Sequence, residues 1–438
     1  MRQWTLSVNG QGRPRARLPT MQGRPYNEPH GVRDAFIRPT MLDAPFRERL
    51  LRQPHLLLFP LGALLAAVGV LPWIFFVLGL SDLYRPIFHS VGFRSMFHPL
   101  AEIEGFLGCF AVGAVLTIVP RRTSSAPPSS WQLALAVAAP IAIVISAAVQ
   151  KWWLGQAAWL ALMGMVIEFI VRRRRAPGDS RRMRWSSFWV ALSLCAGAAG
   201  TLLAIIGESR EDLLWVHEIG RALLTQGLFS GLALGTAESL LGEKPATGRA
   251  LARRSRWIDA ALALGSVLFF ASFGTGLLRS PSIGFAMRAV ITLAVVLYLV
   301  RVSPLAEAPG SRGRAARIAL WMLPLGNAWA ALMPTARRAG MHVIYLACFA
   351  MLILVISTLL YRRAHIARQL VLGWGCLTVA LGARTLVEMD PPNFRIWLGI
   401  ACLYFALGLF FAFGRLAGRL VSLLPEGGAQ SAPNGRHR

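Results

Sequence analysis

Twelve long apolar stretches, parted by short polar or charged breaks, set the pattern of the chain: 56–80, 99–119, 131–149, 152–171, 187–206, 213–241, 257–278, 283–302, 316–334, 341–361, 369–389 and 394–414. A helix of about 20 apolar residues crosses a hydrocarbon core of about 30 Å. Lipid offers the backbone no hydrogen-bond partner, so only helices or closed barrels can span it. The stretches are continuous rather than alternating, which excludes a barrel. The predicted fold is an all-α polytopic membrane bundle of about 12 transmembrane helices with both termini cytoplasmic. Residues 1–54 read as a basic, largely disordered cytoplasmic tail, 55–420 as the transmembrane domain and 421–438 as a short disordered tail. The beginning of the chain lacks an early apolar core, so no cleavable signal peptide is expected. Residues 46–52 read as a short amphipathic turn on the membrane surface. Pro60, Pro72, Pro140 and Pro324 fall inside spans, and the sequence shows no internal repeat by inspection.

Composition agrees with a membrane protein: 55% of the 438 residues are hydrophobic and 15% charged. The net charge of +26 raises the question of nucleic acid, and its distribution answers it. With the termini inside, the cytoplasmic tail, loops and span edges collect 35 of the 46 Lys and Arg residues, and the opposite loops 8. This is the positive-inside bias, which sets orientation. The run Arg172 to Arg175 with Arg181, Arg182 and Arg184 is accordingly read as a stop-transfer loop beside anionic lipid. Cys109, Cys195, Cys348, Cys376 and Cys402 lie in spans without CxxC or CxxCH spacing and read as small apolar packing residues. A dinucleotide fingerprint, a P-loop and an HExxH motif are all missing.

Orientation sorts the polar residues by depth. His98, His217 and His342 all fall at the non-cytoplasmic ends of their spans, whereas His365 falls on the cytoplasmic side. Imidazoles at one depth are the ligands that haem or copper takes. His98 and Glu102 are four residues apart and share a helix face, so the carboxylate can orient the ring. His217 and Arg221 share a face in the same way. Arg221 is expected to be a buried cation answered by Glu218, Glu102 or a haem propionate. Arg384 and Glu388 form a third four-residue pair. Ionisable groups inside a membrane are costly and mark candidate functional sites. Glu102 and Glu104 are candidates for a proton path; their bland alternative is a hydrogen bond to a neighbouring helix. For each histidine the bland alternative is an interfacial ring bonded to water or headgroup.

The segment Phe97-His98-Pro99-Leu100-Ala101-Glu102-Ile103-Glu104-Gly105-Phe106, running on to Leu116-Thr117-Ile118-Val119-Pro120, resembles a signature of the NnrS family. There an aromatic residue and His-x-His-Glu lead a Gly-rich span. Gly220-Arg221 followed by Gln226-Gly227 resembles that family's Gly-Arg…Gln-Gly-Phe segment. His342 leads a span closing near His365 and Arg368, similar to the family's His-led span. His55 to Ala66 resembles its first span. The resemblance implies a twelve-helix bacterial inner-membrane protein containing haem and copper, associated with nitric oxide metabolism, denitrification and nitrosative stress. It implies His98, His217 and His342 as metal ligands, with Arg221 beside the cofactor. Leu100 stands where the family has its second histidine and Ala101 where it has glutamate, so a divergent member with one cofactor or none is also compatible.

The expected function is therefore a haem and/or copper protein that binds nitric oxide or another diatomic gas and meets a membrane electron-transfer partner. Nucleic acid is not an expected partner; the lipid bilayer is. The alternatives are a cofactor-free permease-like or scaffold subunit of a membrane complex, and a transporter using Arg221, Arg384 and Glu388 as a polar pathway.

Overall fold

The computed structural model describes residues 46–80, 97–174, 185–208, 211–240, 256–302, 311–361 and 364–422. The tail before residue 46, His89 and the arginines of 175–184 lie outside them. So do the side chains of His365 and Arg368, whose backbone belongs to a helix.

Every regular element among the described residues is helical. A short helix, Phe46–Arg52, lies where the amphipathic turn is expected. Twelve long helices follow. They are α1 (His55–Val77), α2 (Phe97–Thr123), α3 (Ser130–Ala148), α4 (Trp152–Arg174), α5 (Trp185–Glu208), α6 (214–240), α7 (Arg256–Leu278), α8 (Pro281–Val302), α9 (Ser311–Leu332), α10 (337–361), α11 (Ala364–Met389) and α12 (Phe394–Ser422). Ten of the described helices are long and apolar enough to cross a membrane. The other two are α6, which carries Glu218 and Arg221, and α9, whose first two turns hold Arg312, Arg314 and Arg317. The chain is thus a multi-pass membrane protein, and each predicted span coincides with one helix.

The helices repeat in fours. In each quartet the first packs on the second and the third on the fourth: α1 on α2 and α3 on α4, α5 on α6 and α7 on α8, α9 on α10 and α11 on α12. Successive quartets join through α4–α5 and α8–α9, and α12 returns to α1, closing the ring. The second helix of each quartet crosses the first through small residues. Ala101, Gly220 and Gly340 meet Gly69, Gly200 and Gly326. A Cβ on Gly200 or Gly326 would lie 2.7 Å from the carbonyl oxygen of Gly220 or Gly340. Nine residues beyond those positions stand Phe110, Phe229 and Phe349, each buried, with the last two rings 6.1 Å apart.

Each of these second helices also contains a π-helical stretch: Leu100–Leu107, Leu223–Gly227 and Val343–Ala350. Such stretches rotate the side chains that follow and tend to occur at functional sites. The repeat corrects the expectation of none. It lives in backbone crossings and helix type, which tolerate Ala for Gly and hide it from inspection by eye.

Close helix crossings of this kind hold membrane bundles together, since lipid tails give no hydrophobic drive. Gly200→Val should therefore destabilise the protein by about 1–3 kcal/mol, the usual cost of overpacking. Gly274→Ala, where nothing lies within 4 Å of an added Cβ, should be neutral or slightly stabilising. Thermal unfolding in detergent reads both; equal behaviour would contradict the crossing's role.

Candidate functional site at one end of the bundle

The helix alternation gathers the first turns of α2, α6 and α10 at one end of the bundle, with the short turns at 78–80, 149–151, 279–280, 333 and 390. His98, His217 and His342 all occur there, as predicted. Their Nδ1 atoms share one environment: each faces a backbone carbonyl, Gly69 for His98 at 3.2 Å, Ala204 for His217 at 3.0 Å and Arg338 for His342 at 2.7 Å. A carbonyl at Nδ1 fixes the Nδ1–H tautomer and leaves Nε2 with a lone pair, the arrangement a metal-binding histidine uses. Trp73 meets the His98 ring edge-on at 6.1 Å, and Trp152 meets His217 at 5.9 Å.

The three rings do not converge. His98 and His342 interact electrostatically with each other and both with Arg384 of α11. His217 is 3% exposed and is packed instead among α4, α5 and α6, where Glu208 lies 3.5 Å from its Nδ1. The quartet repeat explains this. His98 and His217 each precede the crossing residue by three positions, so they occupy equivalent places in different quartets. Arg337 holds that place in the third quartet, and His342 follows the crossing by two. Among the described residues no group of three His, Cys, Asp or Glu side chains is positioned to hold a metal ion.

Around His98 and His342 the polar groups are partly answered. Glu102 lies 3.9 Å from Nδ1 of His98, farther than the Gly69 carbonyl, and its Oε1 is buried without a hydrogen-bond partner. Glu102 also interacts with Cys402 of α12, which Arg384 reaches too. Arg384 donates to Glu388 at 3.2 Å, and the other Glu388 oxygen accepts the Ala339 amide at 3.1 Å, tying α11 to the entry of α10. Nη1 of Arg384 is buried without a partner. A donor, an acceptor and two imidazoles thus face a shared region without fully satisfying one another. At the neighbouring turn, Trp397 and Asn393 donate to Asp390 at 2.9 and 3.0 Å and hold its carboxyl below the usual carboxylate range.

Two predicted residues differ from expectation. Arg221 is not a deeply buried cation: its side chain is 43% exposed, and it pairs with Glu218 at 3.3 Å rather than with Glu102. The α6 helix leaves this side chain partly exposed, within electrostatic reach of Tyr345, while keeping His217 buried. Glu104 takes the bland alternative in part. It is 1% exposed, and the Gln156 amide of α4 donates to both its oxygens at 2.8 Å. Glu102 and Glu104, two residues apart, point to different neighbours. Sequence reasoning missed Gln156 and Tyr345; the only signal was a polar group within an apolar run.

Removing Glu388 should leave Arg384 buried and unpaired. Glu388→Ala is expected to cost about 3 kcal/mol, and Glu388→Ala with Arg384→Met clearly less. A double-mutant cycle on detergent melting temperatures measures this; additive losses would mean that the pair is not coupled.

Comparison with known proteins adds one finding. The family model described as NnrS protein matches residues 49–423, which takes in all twelve helices. No curated protein matches the chain. The match spans most of the sequence and includes every candidate site residue above, so the chain belongs to the NnrS family.

Proposed function

We propose that this protein binds haem and/or copper at the end of the bundle that carries His98 and His342, and acts in nitric oxide metabolism or the response to nitrosative stress. The carrying observation is the shared environment of the imidazoles, each with Nδ1 on a backbone carbonyl, which makes Nε2 the nitrogen able to take a metal. The residues fit the group. His98 and His342 would hold the metal together from α2 and α10, and His217 would serve a separate centre. The unanswered Nη1 of Arg384 suits a carboxylate such as a haem propionate. When bound, haem would supply an iron centre with chemistry toward a diatomic gas, and copper an imidazole-ligated redox centre.

The chain's own groups would do the rest. Glu388 holds Arg384 in place and fixes the first turn of α10. Glu102, beside His98, can take up or release a proton at its unpartnered oxygen, and Glu104 with Gln156 lies one step deeper. A small apolar pocket of about 60 Å³ between α2, α4, α5 and α6, lined by Gly108, Val112, Trp159 and Phe229, suits a small neutral gas. The charge asymmetry of the loops supports a periplasmic position for this end in a bacterial inner membrane. An electron donor in the membrane is the partner that turnover would need.

The test is cofactor retention in purified variants. His98→Ala and His342→Ala should each remove the same Soret band or copper signal, the double variant should be no worse than either, and His217→Ala should leave that signal in place. Nitric oxide should shift the Soret band of the unaltered protein. Full cofactor binding by the His98→Ala/His342→Ala double variant would sink the proposal.

A further inference from the structure

Helix α8 carries an arginine that the metal reading does not use. Arg288 is 4% exposed. Its guanidinium lies between two phenyl rings, 4.3 Å from the centroid of Phe273 and 4.2 Å from that of Phe285. A close crossing of α7 and α8 shapes the space: a Cβ on Gly284 would lie 2.5 Å from the Cα of Gly276. Arg337, in the first turn of α10, stands over the same Phe285 ring at 5.7 Å and is close enough to Arg288 to repel it. Tyr345, two turns along the same face of α10, interacts with Arg288 and lies against Thr225 and Gln226 of α6.

Among the described residues these guanidiniums have no ion-pair partner, and the nearby Glu388 of α11 pairs with Arg384. Helices α8 and α10 contain no Asp or Glu, the one carboxylate of α7 is Asp259 at the opposite end, and Glu218 of α6 pairs with Arg221. The Nε of Arg288 and that of Arg337 are each buried without a hydrogen bond. Arg288 donates to the Ser272 carbonyl at 3.5 Å. A buried cation without a counter-ion is costly even with aromatic and carbonyl contacts, and within a bilayer it is kept for a purpose. A guanidinium fork matches a planar oxyanion, and aromatic walls favour an ion that sheds its water readily.

The geometry points to an anion site between α7, α8 and α10, built for a small, singly charged planar oxyanion of the nitrite, nitrate or carboxylate class. Arg288 and Arg337 are its two guanidinium donors, with the Tyr345 hydroxyl beside them. It stands on observations separate from the metal reading. The same chemistry can come from a free ion or from the carboxylate arm of a bound cofactor.

The experiment uses the full chain in detergent, first without cofactor. Sodium nitrite, nitrate and formate are titrated against chloride at constant ionic strength while the melting temperature is followed. A saturating rise of roughly 3 °C or more over chloride, absent in Arg288→Met and Arg337→Met, is the expected result and assigns a free anion. A flat response to the free ions, with haem bound at least tenfold tighter than its dimethyl ester and that preference reduced in both variants, assigns a cofactor carboxylate. Either result supports the site. If Arg288→Met does not give monodisperse protein, the half-buried Arg337→Met carries the comparison. A rise that chloride matches, variants that respond like the unaltered protein, or no preference in either titration would overturn the site.

Discussion

Within the hydrocarbon core no water is available, so a polar side chain must find its partner elsewhere in the chain. Most of this bundle obeys. The Gln156 amide holds both oxygens of Glu104, Glu388 holds Arg384 and the α10 backbone, and the buried Thr117, Ser193, Thr201 and Ser357 hydroxyls return to carbonyls of their own helices. Against that background the unanswered atoms carry information. Glu102 Oε1 and Arg384 Nη1 lie near the His98–His342 pair, and Arg288 and Arg337, each with an unpartnered Nε, share the Phe285 ring. Both groups gather at the same end of the bundle, on different faces of α10.

The quartet repeat explains why function concentrates there. Small residues at 69, 101, 200, 220, 326 and 340 let the second helix of each quartet press into the first. The π-helical stretches that follow change the helical phase, which sets Glu102 toward α1 and α12 and Glu104 toward α4. The repeat is also broken in a useful way. Arg337 replaces the histidine position of the first two quartets, and His342 appears five residues later. That shift hands one face of α10 to the metal reading and another to the arginine cluster.

Much of the fold was legible in the sequence. All twelve long helices were visible as apolar runs, ten of them long and apolar enough to cross a membrane, and the end that carries the histidines followed from counting helices. The depth of His98, His217 and His342 was legible for the same reason. Their lateral grouping was not, because hydropathy says nothing of which helix stands beside which. Arg221 shows the same limit: its position in an apolar run suggested full burial, yet its side chain is partly exposed and pairs with Glu218. The π stretches leave no compositional mark, and the partners Gln156, Tyr345 and Cys402 become meaningful only once α4, α6, α10 and α12 are placed.

The central claim, that the imidazoles at this end hold a cofactor, is tested most directly by a pyridine haemochrome spectrum with iron and copper analysis on the unaltered protein, expressed with both supplied and purified in detergent. The account predicts near-stoichiometric haem, copper or both. Protein that folds, stays monodisperse and contains neither iron nor copper would contradict it.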